Sequence, residues 1–173
     1  GPPPRPGGPA AGRPAAAYPP PPPHPGGAGA ARAIPAALAA AGVRPGEVGY
    51  INGHGTGTAK NDPAEVAAVR TAFGAAADNT LLSSTKSMIG HLLGAAGAAE
   101  GIVTARAIHP PTAPPTAGFV EPDPHSDPDV VAGRARPLEH AGARPSDLAF
   151  AGAKATGGFG PPGRPDPATP ADK

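Results

Sequence analysis

The order of elements that the sequence predicts is that of an α/β protein, with helices packed on a mixed sheet. Two observations carry this. Apolar runs at Val48 to Asn52, Leu81 to Ser84, Asp129 to Ala132 and Asp147 to Gly152 read as strands, and helical patterns stand between the first three. The second observation is the make-up of the helix expected from Leu92 to Ile108. Gly94, Ala95, Ala96, Gly97, Ala98 and Ala99 let it approach a sheet or another helix on nearly all sides, as a central element must. No internal repeat is present.

Taken in order, residues 1–25 are almost all Pro, Gly and Ala. They cannot bury enough apolar surface to offset chain entropy and are predicted to be disordered or polyproline II. Residues 26–159 form the part able to fold. It opens with an alanine-rich helix over Gly26 to Val43, in which Ile34, Leu38 and Ala41 share one face and Pro35 forces either a start near Ile34 or a kink. After the strand at Val48, the glycines 53, 55 and 57 allow a tight loop around His54. Asn61 or Asp62 is expected to cap the next helix, with Pro63 in its first turn and Glu65 three residues after Asp62; Gly74 stops it after Phe73. Pro110, Pro111, Pro114 and Pro115 end the central helix and begin an extended segment. Residues 160–173 return to the composition of the first segment.

Composition excludes several function classes. Of 173 residues, 29 are Pro and 26 Gly, and there are only four Phe, two Tyr and no Trp, so the core is small and aliphatic and its stability marginal or dependent on a partner surface. The net charge of +1, with only scattered Arg residues, gives no footprint for nucleic acid. The absence of cysteine removes disulfides, thiolate zinc sites and a cysteine nucleophile from this sequence. His24, His54, His91, His109, His125 and His140 show no metal-ligand spacing, and the glycine-rich stretch Gly53 to Lys60 does not meet the phosphate-loop pattern. The most apolar stretch carries His91, Glu100 and Arg106, which argues against a membrane span, and no signal region opens the sequence; the expectation is a soluble, cytoplasmic protein.

Two histidines 37 residues apart stand in distinctive wording: His54-Gly55-Thr56-Gly57-Thr58, followed by Asp62 and Glu65, and Ser84-Thr85-Lys86-Ser87-Met88-Ile89-Gly90-His91, followed by Gly94-Ala95-Ala96-Gly97 and Glu100. This stretch resembles the C-terminal half of the β-ketoacyl synthases, the condensing enzymes of fatty-acid and polyketide synthesis, in the form found in their discrete members. The resemblance implies the C-terminal half of a thiolase-like fold. It departs from the family at the closing Gly-Phe-Gly-Gly-x-Asn loop, of which Gly157-Gly158-Phe159-Gly160 keeps only a trace before a proline tail takes the place of the last strand. The family's nucleophilic cysteine belongs to an N-terminal half that this sequence does not contain.

The resemblance implies roles as well. His54 and His91 would donate hydrogen bonds to the thioester carbonyl of a malonyl unit as it becomes an enolate, the point at which fixed donors contribute most. Lys86 would pair with Glu100 and hold the site, with Asp62 and Glu65 in the same charged cluster. Thr56 and Thr58 read as hydrogen-bonding loop residues rather than nucleophiles. Without the resemblance, the histidines read as a loop residue and a helix-start residue, and Lys86 and Glu100 as solvated charges. No cofactor is expected, since the substrate rides on the phosphopantetheine of an acyl carrier protein. The expected partners are that carrier and a complementary N-terminal synthase half or subunit. The rival readings are an inactive remnant that binds a synthase or carrier protein, and a decarboxylase of malonyl thioesters.

Overall fold

The computed structural model describes residues 10–12, 28–108, 110–122, 128–138, 148–151 and 156–159. Eight strands and four α-helices are built from them. In chain order they are β1 (Ala10–Gly12), α1 (Ala28–Ala41), β2 (Val48–Asn52), α2 (Asn61–Phe73), β3 (Leu81–Ser83), α3 (Lys86–Ile89), α4 (Ala96–Arg106), β4 (Thr112–Ala113), β5 (Asp129–Val130), β6 (Arg136–Pro137), β7 (Leu148–Ala151) and β8 (Thr156–Phe159).

The main sheet has the order β1-β8-β7-β2-β3-β5, with β7, β2, β3 and β5 parallel and the β7-β8 and β8-β1 pairs antiparallel, so it is mixed. Two expectations about the chain ends change here. Ala10–Gly12 lies inside the stretch read as disordered and forms the sheet's edge. β8 forms in the residues read as the trace of the closing loop, because Thr156 to Phe159 contains no proline and can complete an antiparallel ladder on β7; the strand read as replaced by the proline tail falls outside the described residues. The rest of 1–25, and 160–173, lie outside the described residues.

Strand β2 is the axis of the sheet, and all five of its residues are buried. Its register against β7 slips by one residue: Val48 pairs with Leu148 and Tyr50 with Ala149, leaving Gly49 as the extra residue of a bulge. The bulge decides which side chains face which layer. Val48 and Ile51 turn to one side, into a core with Ile34 and Leu38 of α1 and Val69 and Phe73 of α2. Tyr50 turns to the other, into a second core with Ala107, Ala113, Val131 and Leu138. The Tyr50 hydroxyl shares a 2.8 Å hydrogen bond with Ser83 Oγ, and burial pushes its pKa well above the usual tyrosine range against that bond.

The helices depart from expectation in three places. α1 runs through Pro35 from Ala28, its apolar face (Ala33, Ile34, Ala37, Leu38) buried and Pro35 on the exposed side, where water can bond the carbonyl that lacks its helical N–H partner. α2 starts from Lys60 without a side-chain cap, because Asp62 and Glu65 turn their carboxylates to the loop that precedes it. The helix predicted from Leu92 is split. Gly90 at φ +80° ends α3, and Leu93, at φ +49° the one non-glycine residue with positive φ among the described residues, turns the chain through Leu93–Ala95 before α4 begins at Ala96.

Candidate active site

The ends of β2 and β3 lie side by side, and the loops that leave them carry the two histidines. Gly53 N–H donates to Ser83 O at 2.7 Å, which extends the pairing one step past the strands and fixes the point at which the His54 loop departs. The loop is then held from three sides. From α2, the Glu65 carboxylate accepts the backbone N–H of His54 at 2.5 Å and of Gly55 at 2.8 Å, and Asp62 accepts that of Gly57 at 3.1 Å. From beyond β3, Ser84 Oγ donates to Gly55 O at 2.9 Å. Within the loop, the Thr56 and Thr58 hydroxyls meet at 3.1 Å.

This tether needs Gly55. Its φ is +35°, and a Cβ there would lie 2.5 Å from Ser84 Cβ. Burial raises the Glu65 pKa, opposed by the Gly55 and His54 N–H bonds; the Asp62 charge adds to the rise, and the more distant Lys86 charge opposes it.

The second loop begins at Ser84, whose N–H donates to Thr116 Oγ1 at 3.0 Å, and passes through α3 to His91. The left-handed turn aims the Leu93 N–H at His91 Nδ1, 3.1 Å away. That bond takes the Nδ1 lone pair, so neutral His91 carries its proton on Nε2 as a donor. The His54 and His91 rings meet edge to face, centroids 5.2 Å apart and planes at 87°.

Behind the histidines, Lys86 Nζ and Glu100 Oε1 form an ion pair between α3 and α4, with side chains 5% and 2% exposed, and neither atom has a further hydrogen-bond partner among the described residues. Asp62 and Glu65 do not join this pair. Their carboxylates hold backbone N–H groups of the His54 loop, while the Asp62 and Lys86 charges both act on Glu65, so the expected charged cluster is linked through charge and not through further ion-pair contacts.

A cavity of about 850 Å³ opens beside this arrangement, lined among others by Thr56, Thr58, Ser84, Lys86 and His91, but not by His54, and by Phe119 from a further segment. That segment is tied down by the Ala117 N–H to Ser87 Oγ at 2.8 Å and the Thr116 N–H to Val131 O at 2.7 Å. No group of three or more His, Cys, Asp or Glu able to hold a metal ion occurs among the described residues. His24, His109, His125 and His140 lie outside them.

The description "Beta-ketoacyl synthase, C-terminal domain" matches residues 14–120, more than half of the sequence. The chain belongs to the β-ketoacyl synthase family. It is 44% identical over 124 residues to the 3-oxoacyl-[acyl-carrier-protein] synthase 2 of Staphylococcus aureus (strain COL), a match covering 72% of this chain and 30% of the relative. Among solved structures it is similar to the ishigamide ketosynthase/chain length factor, with TM-score 0.70, 33% identity and coverage of 89% of this chain and 36% of the other. It is similar also to a ketosynthase bound to a hexaketide, in complex with its type II polyketide synthase acyl-carrier protein. There the TM-score is 0.73 and the identity 29%, over 88% of this chain and 36% of the other. The chain thus spans about a third of the length of the synthases it matches.

As a β-ketoacyl synthase C-terminal domain, the chain carries the thiolase-like half fold: the parallel strands β2 and β3 deliver one histidine each, and α4 lies behind with Glu100. Sequence reasoning gave no role to Asn52, Ser87, Thr104 and Thr116, all of which act through hydrogen bonds; Ser87 stood inside the quoted wording, and Asn52 left a signal as a polar residue closing an otherwise apolar strand. Among the described residues, no helix is long and apolar enough to cross a membrane.

Proposed function

We propose that this chain supplies the malonyl-activating half of a β-ketoacyl synthase. The observation that carries the reading is the pair of rings 5.2 Å apart, one of them with its Nδ1 occupied and its Nε2 left to donate. His54 and His91 receive the thioester oxygen of a malonyl unit carried on phosphopantetheine. As the bond to the carboxylate breaks and carbon dioxide leaves, the electron pair moves onto that oxygen, and the two N–H donors stabilise the enolate. The enolate carbon then attacks an acyl group held on a cysteine. This chain has no cysteine, so that nucleophile is supplied by the remaining part of the synthase, whether joined to this segment or on a second chain.

The surface around His91 supports the dependence on that part. His91 itself is exposed, and Met88, Ile89, Leu92 and Leu93 beside it in the chain are exposed as well, Leu93 by 79%. Oxyanion donors act strongly where water is excluded, so an uncovered His91 marks a site completed by another surface. The acyl carrier protein is the second partner, delivering the substrate to the cavity.

The test is release of carbon dioxide from a malonyl carrier thioester by the full chain, alone and with an N-terminal synthase half added. Release is expected with both present, and His54→Ala or His91→Ala should lower it by about 100- to 1,000-fold each. Release untouched by either substitution overturns the assignment of the histidines. Release by the chain alone assigns it decarboxylase activity instead.

A further inference from the structure

We infer that Asn52 is the positioning residue that holds the two histidine-bearing loops and the Lys86–Glu100 pair in one geometry. It closes β2, is 1% exposed, and its amide reaches two separate pieces of chain, the start of α3 and the middle of α4. Its Oδ1 accepts the backbone N–H of Thr85 at 3.2 Å and the Thr85 hydroxyl at 3.1 Å. Its Nδ2 faces Thr85 Oγ1 at 3.0 Å, Thr104 Oγ1 at 3.2 Å and the carbonyl oxygen of Glu100 at 3.4 Å. The orientation of the amide is forced. The Thr85 N–H can only donate and the Glu100 carbonyl can only accept, so oxygen must face α3 and nitrogen α4.

Each of these contacts borders a residue of the site. Thr85 is covalently joined to Lys86 and leads through α3 to His91; the Glu100 carbonyl belongs to the residue that pairs with Lys86; His54 lies two residues beyond Asn52 itself. A side chain that both donates and accepts is required at the junction. Aspartate would set a carboxylate against the Glu100 carbonyl with no N–H to offer, and alanine would strand the Thr85 N–H in a buried place.

The inference rests on the reading of His54, His91 and Lys86 as the synthase site. Its test reads geometry rather than turnover, so it can fail while that reading stands. In the full chain, cross-relaxation between the His54 and His91 ring protons reports the 5.2 Å contact, and the rate at which an amine-acylating reagent modifies Lys86, relative to exposed Lys60, reports the buried pair. Asn52→Ala and Asn52→Asp should each abolish the ring contact and raise Lys86 modification by at least about 10-fold. Thr80→Val is the control. It removes a hydroxyl whose one proton is shared between two carbonyl acceptors, Val48 O at 3.1 Å and Ala76 O at 3.0 Å, near the opposite end of β2, and should leave both signals unchanged.

Equal loss of protection in Thr80→Val would make the effect one of general stability and overturn the inference. So would folded Asn52 variants with both signals intact. If the Asn52 variants fail to fold, Thr85→Val decides. It should raise Lys86 modification by a few-fold while Thr85→Ser restores protection, and no change in Thr85→Val overturns the role.

Discussion

Replacing Lys86 with methionine keeps an unbranched apolar stem as far as Cε and removes the ammonium, leaving the Glu100 carboxylate facing no cation in a place where its side chain is 2% exposed. Neither charged atom has another hydrogen-bond partner among the described residues, so nothing nearby takes over from the lost ammonium. Breaking a buried pair in this way costs about 3–5 kcal/mol. With an m-value near 1.5 kcal/mol per M, the midpoint of urea unfolding should fall by about 2–3 M. The double replacement Lys86→Met with Glu100→Leu removes both desolvation costs together, and its stability should return to within about 1 kcal/mol of the parent chain. The assay is equilibrium urea unfolding of the full chain followed by circular dichroism. A loss below about 1 kcal/mol in Lys86→Met would place the ammonium in water and refute the buried pair.

Two further outcomes follow from the His54 loop. Because the folded pKa of Glu65 is raised, its contribution to stability is fully present below the unfolded carboxylate pKa and is lost as pH rises through the folded value. The stability advantage of the parent chain over Glu65→Gln should therefore be largest in acid and shrink toward neutrality, and urea unfolding at several pH values shows whether the difference runs the other way. Gly55→Ala drives a Cβ to 2.5 Å from Ser84 and should cost about 1–3 kcal/mol from overpacking beyond the backbone strain. Gly57→Ala, at φ +70° but with nothing within 4 Å, should cost only the left-handed backbone term of about 1–2 kcal/mol; equal losses would mean that the loop does not pack on Ser84.

The layered architecture was legible in the sequence because its signals are local. The apolar runs at Val48 and Leu81 and the helix over residues 61–73 can be read without knowing their neighbours. The wording around His54 and His91 named the elements that meet. What escaped was decided by tertiary contact. Pro35 reads as a helix breaker, but the buried face of Ala33, Ile34, Ala37 and Leu38 carries the helix through it. Asp62 and Glu65 match a helix-start pattern, yet the backbone N–H groups of the preceding loop claim both carboxylates. The run of small residues after His91 reads as one helix, and nothing local reveals that Leu93 leaves it to reach back to the imidazole. Asn52 shows the same limit: its partners lie 33 to 52 positions away in the chain.

The bulge at Gly49 ties the site to chain length rather than to chemistry. Strand parity downstream of it sends Tyr50 toward the second core and Asn52 toward α4, while Val48 and Ile51 stay with α1 and α2. Gly49 has no partner on β7, so its removal would restore a regular ladder with these faces unchanged, whereas removal of a paired residue after it, such as Ile51, would turn the amide of Asn52 into the aliphatic layer and away from Thr85 and Thr104. Many point replacements along β2 would leave the histidine loop correctly delivered, whereas in-frame loss of one paired codon after the bulge would send it off from the wrong side of the sheet.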